Sequence, residues 1–193
     1  MRRYSTTTSA PATDPAAPFV ALDFETADRG SDSACALALV RVAGVRITDR
    51  LLLMIRPPRA RFEFTWVHGI TWASVRGEPT FAEHWPAIER FIAGASFLAA
   101  HNASFDRAVL AGCCGAAGVP APDHDYRCTV QLARRAWGLR PANLPAVCAH
   151  LGIPLVHHDP ASDAEACARI VIAAREHGHD LGPPLGARER RRP

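Results

Sequence analysis

Three short segments of this 193-residue chain carry residue types that do chemistry. The first is Ala21-Leu22-Asp23-Phe24-Glu25-Thr26. Side chains alternate faces along a strand, so Asp23 and Glu25 point the same way. Two carboxylates side by side at the end of an apolar strand repel each other unless cations neutralise them. Hard oxygen ligands of this kind suit Mg²⁺ or Mn²⁺. Alone, an Asp-x-Glu pair is more often a solvated strand end. The second segment is His101-Asn102-Ala103-Ser104-Phe105-Asp106. Asp106 falls in the first turn of a helix, where an acid also interacts favourably with the helix dipole. Phe105 offers an aromatic face, with core packing as the alternative. The third is His157-His158-Asp159-Pro160-Ala161-Ser162-Asp163-Ala164-Glu165. A histidine in a loop can approach a metal-bound water while Asp163 holds the metal. Taken singly, His158 is a surface histidine and Asp163 a helix-start acid.

The elements around these segments must bring them together. Phe19 to Phe24 reads as a strand that is apolar and ends in charge. Cys35 to Val42 and Arg46 to Ile55 read as two more, with Ala43 and Gly44 at the turn between them. Strands so closely linked are expected to be antiparallel neighbours. Thr80 and Glu83 form a capping-box pattern before Trp85, Ile88, Phe91 and Ile92, which share a helical face. Pro86 is expected to kink that helix. Ser96 to Ala100 is a short strand, and Ser104 to Cys114 a helix closed by Gly115 or Gly118. Thr129 to Trp137 and Asn143 to Leu151 read as short helices. The last helix is expected to start near Ser162, with Ser162 as N-cap and Glu165 as its capping-box partner. This order of elements gives an α/β domain with a mixed sheet. Ligands in open α/β sheets gather at the carboxyl ends of strands. Asp106, following a strand, is therefore expected at the same site as Asp23 and Glu25.

Composition narrows the class. The length suits one domain, which buries roughly 70% of its unfolded surface without metal or disulfide staples. The folded body is expected over 19–179, with a Ser/Thr/Ala/Pro-rich leader at 1–18 and a basic tail at 180–193. The leader lacks the apolar stretch of a secretory signal. No segment reaches the roughly 20 apolar residues that span a membrane. Cys35, Cys113, Cys114, Cys128, Cys148 and Cys167 include no C-x-x-C pair and read as small core residues in a reducing compartment. All 22 basic residues are arginine. GC-rich codons for Arg, Ala and Pro account for that without any function. The net charge of +3 is compatible with a polyanionic partner and does not establish one.

Together, in this order and on these elements, the segments resemble the DEDDh (DnaQ-like) 3′→5′ exonucleases, the family of the DNA polymerase III epsilon subunit and RNase T. Asp23-x-Glu25 is similar to the family's first motif, the segment ending in Asp106 to the second, and His158 followed by Asp163 to the third. Val67-His68-Gly69-Ile70-Thr71 is similar to a recurrent HGIT segment between the first two. The resemblance covers about Phe19 to Glu176. Two positions depart from it. Pro160 stands where many members have alanine and is expected to stiffen the loop of His158. Cys128-Thr129 stands where relatives often have Asp-Thr.

The resemblance implies a ribonuclease H-like fold, with a mixed five-stranded sheet flanked by helices. It implies two divalent ions, Mg²⁺ or Mn²⁺. Asp23 would contact both, Glu25 and Asp163 one, and Asp106 the other. His158 would take the proton from the attacking water. The implied reaction is hydrolysis of the phosphodiester at a 3′ end, with DNA the expected substrate and nucleoside monophosphates the products. Thr26, His101, Asn102 and Phe105, inside the first two motifs, are expected to bind substrate, Phe105 by stacking on a terminal base. The implied partners are single-stranded or frayed nucleic-acid 3′ ends, with a polymerase or a second copy of the chain beside them. A cytoplasmic location is expected. Competing readings are an RNA-trimming exonuclease, a ribonuclease H-type endonuclease, a non-catalytic nucleic-acid-binding or docking module, and a metal-binding protein without nuclease activity.

Overall fold

The computed structural model describes residues 16–186. The expected leader lies almost wholly outside the described residues, as do Arg188 and Arg190 to Arg192 of the expected tail. The strands are β1 (Phe19–Thr26), β2 (Ala34–Ala43), β3 (Arg46–Met54), β4 (Leu98–Ala100) and β5 (Tyr126–Cys128). The helices are α1 (Thr65–His68), α2 (Trp72–Val75), α3 (Phe81–Ile92), α4 (Ser104–Ala117), α5 (Thr129–Trp137), α6 (Leu144–Leu151) and α7 (Pro160–Glu176).

The strands form one sheet in the order β3-β2-β1-β4-β5. β1 and β3 pair antiparallel with β2, while β4 runs parallel to both β1 and β5. The sheet is therefore mixed, as expected. The central strand β1 is apolar at successive positions because both of its faces are covered. Phe19 and Ala21 pack into the core shared with α5, α6 and α7. Val20, Leu22 and Phe24 pack into the core shared with α3 and α4. Period-2 alternation then assigns Asp23 and Glu25 to the α7 face. That helix approaches the sheet on small residues: Ala164, Ala166, Cys167, Ala168 and Ala174 are all buried. Small side chains let its backbone lie close to β1 and β2.

The expected capping box of α3 forms. Thr80 N–H donates to Glu83 Oε2 at 2.6 Å, and Glu83 N–H to Thr80 Oγ1 at 3.4 Å. The helix continues through Pro86 to Ile92. The expected Ser162–Glu165 capping box of the last helix is wrong. α7 begins at Pro160, and its N-cap is Asp159, whose Oδ1 accepts from Ser162 N–H at 2.8 Å. Ser162 Oγ instead accepts from Val156 N–H at 2.8 Å, and Glu165 binds Arg50 and Arg169. The physical reason is that proline fits the first helical position, where its missing N–H would have no partner anyway. β5, α1 and α2 have no counterpart in the sequence reading. At three or four residues each, they are too short to carry a period. Beyond residue 179, Leu181 is buried and Leu185 N–H donates to Tyr126 O at 2.7 Å, so this stretch packs along β5.

Candidate active site

The parallel pairing of β1 with β4 puts both carboxyl ends at one edge of the sheet. Asp23 and Glu25 stand at the end of β1. Asp106, in the first turn of α4, is 2% exposed, and its Oδ1 accepts from Phe24 N–H at 3.2 Å. That bond ties α4 to β1 beside the first two carboxylates. Asp163, in the first turn of α7, comes in from the covered face at 4% exposure. Its Oδ2 accepts from His158 N–H at 3.1 Å and faces His157 Nδ1 at 3.1 Å. The rings of His157 and His158 stack at 3.8 Å with a 22° tilt. His158 has φ of 68°, a left-handed conformation that a non-glycine residue adopts at a cost. The loop accepts that cost because Pro160 and the Asp159 cap fix where the helix must begin.

The electrostatics identify what the cluster wants. Burial holds the Asp23 carboxyl well above the usual range, with Asp106, Glu25, Asp163 and Asp159 adding repulsion. Burial, then Asp163 and Asp159, push Glu25 up to about 7. Burial also pushes Asp106 up to about 7, against the Phe24 N–H. Asp163 is raised by burial, against the His158 N–H and His157. Asp163 Oδ1 is buried and has no hydrogen-bond partner among the described residues. A buried acceptor left unpaired is costly, and four clustered carboxylates repel. A divalent cation removes both penalties at once, so this donor set fits the hard ions inferred from the sequence. The donor atoms of His157, His158 and Asp163 also lie within 4.8 Å of one another, close enough to hold a metal ion together.

The floor and rim are set by other residues. Cys167 of α7 is fully buried, and its thiol is pushed up by burial and by Asp23, Asp106 and Asp163. His68 accepts at Nδ1 from Ile70 N–H at 3.0 Å. Its hydrogen therefore sits on Nε2, which donates to Thr26 O at 3.2 Å. Burial lowers its pKa further, so this ring is a neutral tether joining the HGIT segment to the end of β1. Gly69 closes α1 at φ of 74°, the left-handed position where glycine is unstrained.

The residues expected to bind substrate fare differently. Phe105 is 44% exposed beside Asp106, so its ring is available for stacking rather than lost to the core. Thr26 is buried and its carbonyl is engaged by His68. His101 is half-buried, with Nδ1 at 2.8 Å from Thr129 Oγ1, and burial lowers its pKa to about 4. Asn102 is exposed in a left-handed conformation, and its Oδ1 accepts from Ser104 Oγ at 3.3 Å. Sequence reasoning missed His157 as the partner of Asp163. The adjacency of two histidines marked both, and only the loop's path selects which ring reaches the carboxylate.

The raised carboxyls make stability depend on pH. Folded Glu25 and Asp106 keep their protons up to about pH 7, whereas unfolded carboxyls lose them in the ordinary range near 4. The folded state thus binds more protons across this window, and the metal-free protein loses stability as pH rises through it. Lowered histidines such as His101 act in the opposite direction, so the contribution is isolated with Glu25→Gln. Between about pH 5 and about pH 8, the melting temperature in EDTA should fall more for the wild type than for that variant. Mn²⁺ should then raise the wild-type value more at the higher pH. A melting temperature indifferent to Mn²⁺ at about pH 8 would mean the carboxylates hold no ion.

Comparison with known proteins places this geometry. The RNase_T exonuclease family model matches residues 20–171. A PolC-type DNA polymerase III from Clostridium perfringens is 32% identical over 160 residues, covering 79% of this chain and 11% of that protein. Exodeoxyribonuclease 10 of Escherichia coli K12 is 32% identical over 110 residues, covering 56% of this chain and 44% of that protein. The chain therefore spans less than half the length of the curated relatives it matches. Exonuclease X, solved with 5′-overhanging duplex DNA, superimposes with a TM-score of 0.68 at 25% identity, covering 82% of this chain and 92% of that one. The nuclease domain of 3′hExo, a DEDDh member bound to rAMP, gives 0.75 at 16% identity over 86% of this chain and 94% of that one, a likeness of fold. The five-stranded sheet with flanking helices is that of the ribonuclease H-like exonucleases.

Proposed function

The chain belongs to the RNase_T exonuclease family, and from that premise we propose that it is a divalent-metal-dependent 3′→5′ exonuclease acting on DNA ends. The observation that carries the proposal is the convergence of Asp23, Glu25, Asp106 and Asp163 at one sheet edge, with a buried Asp163 oxygen unpaired. Asp23, Glu25, Asp106 and Asp163 would hold the ions. When bound, such ions stabilise the charge that develops on the attacking and leaving oxygens of a phosphodiester.

The chain's own groups supply the rest. His158 is exposed at the rim and takes the proton from the attacking water, the general-base role that histidine most often fills. Its backbone N–H holds Asp163 at the same time. Phe105 stacks on the terminal base. Cys167 and the apolar faces of β1 and α7 keep water out beneath the carboxylates, which strengthens every charge interaction above them. DNA is preferred to RNA in this reading because exodeoxyribonuclease 10 and the DNA-bound exonuclease X carry the higher identities. The likeness to a PolC-type polymerase supports a polymerase as a working partner.

The test uses 3′-free and 3′-blocked oligonucleotides of DNA and RNA with Mg²⁺, Mn²⁺ or EDTA. The wild type should shorten 3′-free DNA only with metal, and Asp23→Asn should not. Cleavage that ignores the 3′ block would overturn the polarity, and cleavage in EDTA would overturn the metal dependence. Intact substrates throughout would move the chain to a binding role.

A further inference from the structure

Five large hydrophobic side chains are exposed among the described residues, and three of them gather at the rim of this site. Trp66 is 83% exposed, Val156 70% and Leu52 49%. All three line one open cleft of about 590 Å³, which His157 and His158 also line. An indole so exposed presents its ring to solvent at a standing hydrophobic cost. The backbone turn that carries it is well tied. Thr65 Oγ1 donates to Ile70 O at 2.7 Å, Gly69 N–H to Thr65 O at 2.8 Å, and His68 is tethered at both ring nitrogens. An aromatic face carried on a tied turn at the edge of the candidate site offers a flat surface to π-systems.

The topology places this face apart from Phe105. Phe105 follows β4, whereas Leu52 belongs to β3, and the sheet order sets these strands on opposite sides of β1. A strand lying across the carboxylates would meet one aromatic face on each flank. We propose that Trp66, backed by Leu52 and Val156, is a second stacking platform that takes an internal nucleobase of the substrate strand, while Phe105 takes the terminal one. The ligand is a nucleobase because the cleft is continuous with His157 and His158. Stacking is tolerant of sequence, since every base has a π-face. The inference rests on the nucleic-acid reading of the site.

The test measures binding of 5′-labelled DNA oligonucleotides with Mg²⁺ in the Asp23→Asn background, alone and combined with Trp66→Ala or Trp66→Phe. Trp66→Ala should weaken binding about 5- to 150-fold, the range for losing one base–aromatic stack, and Trp66→Phe should recover most of it. Oligonucleotides abasic at each of the last three positions locate the base. The affinity ratio between the Asp23→Asn protein and its Trp66→Ala derivative should collapse toward one for an internal abasic residue and persist for a terminal one. Equal affinities on intact oligonucleotides, or collapse only with the terminal abasic residue, overturn the platform. Cleavage assays on wild type run alongside. Tight Trp66-dependent binding without cleavage would sink the exonuclease reading and leave the platform standing, while cleavage with no Trp66 effect would do the reverse. The absence of both binding and wild-type cleavage overturns both.

Discussion

Asp163→Asn should reduce exonuclease activity by at least about 10³-fold, the rate equivalent of several kcal/mol of lost charge stabilisation. Asparagine keeps the shape of the side chain, so the His158 N–H can still donate to its amide oxygen. What it loses is the charge and one ligand oxygen. Asp163 Oδ1 is buried with no partner among the described residues, and an amide NH₂ put there cannot serve as a ligand to a cation. The same change relieves repulsion, because Asp163 raises the pKa of both Glu25 and Asp23. Metal-free Asp163→Asn should therefore melt higher than metal-free wild type near pH 8, by about 2–4 °C for each kcal/mol relieved. Mn²⁺ should close that gap by raising the wild type while leaving the variant nearly unmoved. Activity assays and paired melting curves read both effects. A folded Asp163→Asn protein with full turnover would remove Asp163 from the machinery.

His158→Ala should slow turnover roughly 10²–10⁴-fold, the usual contribution of a positioned general base, with little change in KM. The backbone explains why the effect should be confined to chemistry. The His158 N–H that holds Asp163 survives the substitution. Alanine also carries a Cβ, so the left-handed φ of 68° is no more strained than before. His157 keeps its contact with Asp163. Single-turnover rates with saturating oligonucleotide isolate the step, and Mn²⁺ affinity should stay near the wild-type value. Normal turnover would transfer the base to His157, whose ring stacks on His158 at 3.8 Å, or to water.

The five proposed machinery residues were singled out by the resemblance of their segments to the family's motifs, and strand and helix pattern supplied only the elements that carry them. Asp23 and Glu25 share a face by the strand period. Asp106 and Asp163 each sit one turn into a helix that follows a strand or a loop. The class of sheet was legible from that pattern, since strand runs followed by alternating strand and helices leave few topologies.

Other features were decided only in three dimensions. Ser162 and Asp159 are both good N-caps, and the choice between them fell to Pro160, which suits the first helical position and is buried there. Thr26 lies within the first motif, yet its side chain is buried and its carbonyl is held by His68, 42 residues away. Which of two adjacent histidines reaches Asp163 depends on a loop whose left-handed turn no periodicity announces. Trp66 reads in sequence as an unremarked aromatic, and only packing leaves it 83% exposed beside His158. The sequence by itself set the inventory of charge and, through local pattern, the longer elements. Burial, tautomer and exposure belong to long-range packing, because each depends on what arrives from elsewhere in the chain to cover a given atom.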